Sequence, residues 1–83
     1  MVKVLYFARL REELGRGSEE IALQPAVADV RALASQLAGR GGAWAVLAAG
    51  GNVRVAVNQR MADASTVLRP GDEVAFFPPV TGG

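Results

Sequence analysis

The stretch EVAFFPPVTGG, residues 73–83, decides how the rest of the chain is read. Glu73–Phe77 has the composition of a strand, with a β-branched valine and two phenylalanines. Pro78 and Pro79 have no N–H, so sheet pairing ends there. They favour extended polyproline geometry, so the tail leaves the domain in a set direction. Gly82 and Gly83 have no side chains. An α-carboxylate carried on them can pass through a narrow slot and approach a reacting centre closely. From Pro78 to Gly83 the reach is roughly 20 Å, at about 3.3 Å per residue. The glycine doublet alone also suits a frayed terminus. The doublet after a stiff spacer and an apolar strand is the stronger pattern.

Working back from this stretch, Pro70-Gly71-Asp72 is a turn, with proline presetting φ and glycine supplying φ > 0. Thr66–Leu68 is a short extended piece. NVRVAVNQ alternates, so Val53, Val55 and Val57 face inward while Arg54, Ala56 and Asn58 face out. Asn58-Gln59-Arg60 reads as a turn. In GGAWAVLAAGG a short helical turn would set Trp44 and Leu47 toward the core.

At the other end, VKVLYFA (residues 2–8) predicts a strand with Val2, Val4 and Tyr6 on one face and Lys3, Leu5 and Phe7 on the other. RLREELG comes next as one or two helical turns closing on Gly15. GRGSEE reads as a turn and Glu20–Gln24 as a second strand, with Ile21 and Leu23 inward. Pro25 ends it. Val27, Val30, Leu33, Ala34 and Leu37 then recur at helical spacing. Asp29 falls in the first turn of that helix, Gly39 and Arg40 fit its end, and Ala26 offers no side-chain cap at its start.

The order strand, strand, helix, strand, short strands, strand predicts an α+β domain over residues 1–77 with an extended tail over 78–83. It is one mixed sheet with its main helix on one face. The first and last strands, both strongly apolar, belong side by side and parallel at the centre, because the helix crossover lies between them. Val4, Tyr6, Val55, Val57, Val74 and Phe76 then form the core face. The opposite face carries Leu5, Phe7, Ala56, Ala75 and Phe77. A sheet with one helix layer should show water a polar second face. An apolar centre there predicts a partner, with Phe7 and Phe77 as neighbours.

The chain holds no cysteine and no histidine, which excludes a disulfide framework, a Cys/His metal site and the commonest general base. Ser18, Ser35 and Ser65 have no activating partner in sequence, and the pairs Glu12/Glu13 and Glu19/Glu20 read as solvated surface. The glycines at 39, 41, 42, 50 and 51 lack the phosphate-loop pattern and read as turns. The formal net charge is +1, with no block of like charge, so neither nucleic acid nor an anionic membrane is indicated. No segment has the makeup of a targeting peptide or a membrane span, and a cytoplasmic domain is expected. The expected functional group is the α-carboxylate of Gly83. A carboxylate is a poor electrophile, so another protein must activate it, most simply as an acyl-adenylate. The acyl group then takes sulfur or joins an amine.

VKVLYFARLREELG, the AVNQ segment and PGDEVAFFPPVTGG together resemble the MoaD family, the small subunit of molybdopterin synthase. The wider group includes ThiS, the thiamin sulfur carrier, and the ubiquitin-like modifiers. The resemblance implies a β-grasp, ubiquitin-like fold. It implies that an adenylating enzyme of the ubiquitin-activating type, using ATP and Mg²⁺, acts on Gly83. A sulfur donor protein would convert that residue to a thiocarboxylate (1-thioglycine). Pro78, Pro79, Val80, Thr81 and Gly82 would insert into the large subunit, MoaE, in a heterotetramer. MoaE would hold cyclic pyranopterin monophosphate and supply the catalytic side chains, so this chain is a non-catalytic, sulfur-carrying subunit that binds no cofactor itself. Phe7, Phe77 and Leu5 resemble partner-contact positions, with Met61 at the rim and Arg11 contributing charge. The alternatives are a ThiS-like carrier for thiamin and a ubiquitin-like modifier or interaction module.

Overall fold

The computed structural model describes residues 1–22, 28–48 and 52–79. Expectations placed on Leu23, Gln24, Pro25, Ala26, Val27, Gly50, Gly51, Val80, Thr81, Gly82 and Gly83 lie outside the described residues. Among the described residues the elements are β1 (Val2–Tyr6), α1 (Ala8–Leu14), β2 (Ser18–Ile21), α2 (Val30–Ala38), a 3-10 helix (Gly42–Leu47), β3 (Arg54–Val57), β4 (Arg60–Met61) and β5 (Glu73–Phe77). The strands form one sheet in the order β2-β1-β5-β3-β4. β1 and β5 are parallel and central, in the register Lys3↔Glu73 to Tyr6↔Phe76. The other pairs are antiparallel.

The alternation predicted for β1 holds. Val2, Val4 and Tyr6 are buried, with Val74 and Phe76 of β5 and Val57 of β3 in the same core. Leu33 and Leu37 of α2 are fully buried against them, and Val30 nearly so. Each such side chain contributes roughly 1.5–3 kcal/mol relative to exposure. Leu47 is buried, and Trp44 packs edge-on to Tyr6 with ring centroids 5.4 Å apart. α1 buries Leu10 and Leu14 and closes on Gly15, whose φ of 77° is the left-handed conformation glycine tolerates best.

Three expectations need correction. Among the described residues the second strand is Ser18–Ile21, starting two residues before the expected Glu20: it pairs with β1 from Leu5↔Ser18 to Val2↔Ile21, so half of the stretch read as a turn is strand. The cap of α2 is Asp29, whose carboxylate accepts the Ala32 N–H at 2.8 Å. The carbonyls of Thr66 and Ala64 take the Val30 and Arg31 N–H groups at 3.0 and 2.9 Å. The donors left over at the helix start are therefore met by Asp29 and by the Ala64 and Thr66 carbonyls, and Asp29 is the cap where a first-turn position was expected. The third concerns Arg60, which with Met61 forms β4 and is not part of the turn. The turn is Asn58-Gln59 alone, with φ of 51° and 68°, as a tight two-residue hairpin requires. Thr66–Leu68 is extended, but Val67 bridges to Asp29 ahead of α2 and adds no strand to the sheet.

Candidate functional site

The register places the outward side chains in rows across the sheet. One row runs Ser18, Leu5, Ala75, Ala56, Met61 through all five strands. The row toward the start of β5 is charged: Glu20, Lys3, Glu73. In the other direction Phe77 stands opposite Arg54. Phe7 follows Tyr6 in extended conformation, and its N–H donates to the Phe76 carbonyl at 3.1 Å, so it continues the parallel ladder by one residue. The outer face thus carries an apolar band bounded by charge on both sides. Phe7 is 47% exposed and Met61 64%, while Leu5 and Phe77 are half-buried. The sheet brings Leu5, Phe7, Phe77 and Met61 onto this face, as expected. Arg11 lies elsewhere, its guanidinium group over Gly17 in the α1–β2 turn, beside Ser18.

The tail root is built by topology. Because β1 and β5 are parallel, their C-terminal ends lie together, and β3 starts at the same end. α1, the lead-in to β3 and Pro78-Pro79 therefore meet there. Between them is a groove of about 240 Å³, with Arg9, Leu10 and Glu13 of α1 on one side, Val46, Asn52 and Val53 on the other, and Pro78 and Pro79 in its wall. The sequence reading did not single out Arg9 or Asn52, and it took Glu13 as solvated surface. The parallel pairing was the available signal, since it sets the residues after Phe7 beside those after Phe77. Val80, Thr81, Gly82 and Gly83 lie outside the described residues.

The helix side holds a polar cluster around Glu19, which the sequence reading assigned to solvated surface. Glu19 accepts two hydrogen bonds from Arg40 at 2.8 Å each and one from the Tyr6 hydroxyl at 2.8 Å, with Arg16 at 3.3 Å. The Arg40 guanidinium stacks 4.4 Å from the Trp44 ring centroid. The Arg40 hydrogen bonds hold the Glu19 carboxyl below its ordinary range, against the opposing effect of burial. Burial first, then Glu19, pushes the Tyr6 phenol well above its ordinary value. Both Glu19 carboxylate oxygens and the Tyr6 hydroxyl proton are engaged within the cluster, which reads as structural.

A cleft of about 350 Å³ between α2 and β3 has apolar walls including Val30, Ala34, Leu47 and Val55, with Asp63 on its lining. Ser65 and Thr66 already occupy the Asp63 carboxylate. Among the described residues no three carboxylates cluster closely enough to hold a metal ion. No helix among them is long and apolar enough to cross a membrane.

A mixed sheet with parallel central strands, a helix packed on one face and a proline-led segment following a central strand define a β-grasp domain of the ubiquitin-like kind. Within that class the chain belongs to the ThiS family, whose profile matches residues 4–83. It is similar to the molybdopterin synthase sulfur carrier subunit of Escherichia coli (strain K12), at 43% identity over 83 residues, 100% of both chains. Among solved structures it resembles a Pyrococcus furiosus protein assigned as molybdopterin converting factor subunit 1. The identity there is 35%, with a TM-score of 0.79, covering 95% of this chain and 97% of that one. It also resembles SAMP1, a small archaeal modifier protein of Haloferax volcanii, at 28% identity and TM-score 0.78, covering 99% and 98%.

Proposed function

We propose that this chain is the sulfur carrier subunit of a molybdopterin synthase and that the α-carboxylate of Gly83 carries the sulfur. The observation that bears most weight is the match of 43% over the whole of both chains to a carrier of that name. The apolar band beside the tail root, a face suited to docking, and the lack of histidine and cysteine agree with that reading.

The chemistry follows from the carboxylate. An adenylating enzyme joins the Gly83 carboxylate oxygen to the α-phosphorus of ATP, and pyrophosphate leaves. A sulfur nucleophile from a donor protein then attacks the acyl carbon and AMP leaves. With a donor persulfide as that nucleophile, a thiol then attacks the donor's own sulfur in the acyl persulfide, forming a disulfide with it as the S–S bond breaks and leaving the terminus a thiocarboxylate. The large subunit receives the tail, holds the pyranopterin substrate and provides the acid–base groups for sulfur transfer. Phe7, Leu5, Phe77 and Met61 dock on it, and Pro78 and Pro79 aim the tail. Small and large subunits assemble as a heterotetramer in the cytoplasm.

The test is an intact mass after incubation with ATP, Mg²⁺, an activating enzyme and a sulfur source. A gain equal to sulfur in place of oxygen, absent when Gly83 is deleted, is the expected result. No gain, with the activating enzyme competent on another carrier, refutes the reading. The likeness to SAMP1 favours one second reading, attachment of the tail to protein amines. Lysine-linked conjugates formed in place of a thiocarboxylate would decide for it.

A further inference from the structure

We propose that the groove at the tail root is a second contact for the large subunit. The rim of its tail slot seats over Arg9 and Glu13, with an acidic group facing Arg9 and a basic group facing Glu13. This inference rests on the reading of Gly83 as the reactive end and specifies part of the surface that its partner must cover.

Reach is the first argument. With Gly83 as the reactive end, four residues separate it from Pro79, and four residues span at most about 14 Å. A protein that closes around the Gly83 carboxyl must therefore come within that distance of Pro79. Pro79 is in the wall of the groove. A slot deep enough to sequester the terminus brings its mouth down onto α1 and the lead-in to β3.

Charge is the second. Arg9 and Glu13 are exposed and one turn apart on α1, so they share a face of the helix. Their order, cation before anion, is the less favourable one for a pair within a helix. Among the described residues neither forms an ion pair or a side-chain hydrogen bond, in contrast to Arg16, Arg40 and Glu19. Both can be engaged without breaking a hydrogen bond or ion pair among the described residues. Between the charges and the prolines lie Leu10, Val46 and Val53, an apolar base that is buried or half-buried. A charged rim around an apolar seat sets register and speeds encounter. The groove also continues the outer apolar band, because Phe7 leads into α1 and Phe77 into Pro78.

The experiment measures Arg9→Glu and Glu13→Arg against the large subunit of a molybdopterin synthase. Binding of the unmodified chain comes first, then KM and kcat for transfer from the thiocarboxylated chain. Each reversal is expected to raise Kd and KM about tenfold at low salt, with kcat within about twofold and the penalty shrinking as salt screens the rim. Thermal unfolding is expected to be unchanged, since neither side chain has a hydrogen-bond or ion-pair partner to lose among the described residues. The inference is overturned if both reversals leave Kd and KM within about twofold while Phe77→Asp weakens binding, the behaviour of a surface outside the contact. It is also overturned if they impair adenylation alone, since the groove then serves the activating enzyme. Because the binding measurement needs no thiocarboxylate, it judges the groove even when sulfur loading fails. A wild-type chain that does not bind the large subunit overturns both readings.

Discussion

Replacing Glu19 by alanine tests whether the cluster on the helix side holds the sheet edge to the core. Tyr6 is 1% exposed, and the only side-chain acceptor it has among the described residues is Glu19, at 2.8 Å. Removing the carboxylate leaves a buried hydroxyl without its charged partner, a loss of roughly 1.5–3 kcal/mol. The Arg40 side chain is 36% exposed, so its pair with Glu19 is screened. That pair adds only about 0.5–1 kcal/mol. Together the loss is about 2–4 kcal/mol, which for a domain of this size lowers Tm by roughly 10–25 °C. Tyr6→Phe removes one hydrogen bond but leaves Glu19 paired with Arg40, so it costs less, about 1 kcal/mol. The double variant should cost less than the sum of the singles, with a coupling of at least about 0.5 kcal/mol. Chemical denaturation of all four proteins reads these quantities directly. A Glu19→Ala loss below about 1 kcal/mol, or simple additivity, would show that the cluster is not the tie described.

The same carboxyl sets a pH dependence. Arg40 holds the Glu19 carboxyl below its unfolded value, so its contribution is fully present above the ordinary glutamate range near about 4.3. It disappears as pH falls through the lower folded value. The stability gap between wild type and Glu19→Gln should therefore narrow on acidification below about pH 4 and stay constant above about pH 5.5. Asp29→Ala removes the cap on the Ala32 N–H and should cost about 1 kcal/mol, or roughly 4–8 °C in Tm. Ala8 opens α1 at a φ of 53°, a conformation that costs a non-glycine residue. Ala8→Gly relieves about 1–2 kcal/mol of that strain and loses about 0.5–1 kcal/mol to chain entropy, so denaturation should show a net gain near 0.5 kcal/mol. Phe77→Asp should leave a folded protein and reduce binding to the large subunit, measured by titration; undiminished binding would remove the outer face from the interface.

The parts of the fold that were legible follow from strict periodicity. Val2, Val4 and Tyr6 on β1 and Val30, Leu33 and Leu37 on α2 each obey one period, and each is buried as that period requires. Pairing of the first and last strands was legible because both are apolar on both faces, which suits only a central position. The start of β2 was not. Ser18, Glu19 and Glu20 are poor strand formers, and what makes them a strand is β1 beside them and Arg40 and Tyr6 closing on Glu19 from 21 and 13 residues away. Single-sequence propensity carries no trace of a partner that distant. The cap of α2 was misplaced for a related reason. Asp29 was visible, but assigning it as first-turn residue or cap depended on Ala64 and Thr66, which take the neighbouring N–H groups from a segment more than 30 residues on. The apolar outer face could be predicted from alternation alone, whereas the groove needed the three-dimensional meeting of α1, the lead-in to β3 and Pro78-Pro79.

That meeting explains how a chain without histidine or cysteine can serve a reaction. Parallel pairing of β1 with β5 sends both chain directions out of the same end of the sheet. One leads through Phe7 into α1, the other through Phe77 into Pro78 and Pro79. A carrier must present its terminus and its docking residues on one side, since a tail of about 20 Å reaches only a slot close to the docked surface. Antiparallel central strands would put Phe7 and Phe77 at opposite ends and carry Pro78-Pro79 away from the exposed Phe7. The polar ties that hold the fold, Glu19 with Arg40 and Tyr6, lie on the helix side, away from the outer face. Glu19→Ala and Phe77→Asp should accordingly separate cleanly. The first lowers stability while the remaining folded protein binds as wild type. The second keeps stability and loses binding. A Glu19→Ala protein that at low temperature is folded yet binds weakly would show that the two faces are coupled through β1.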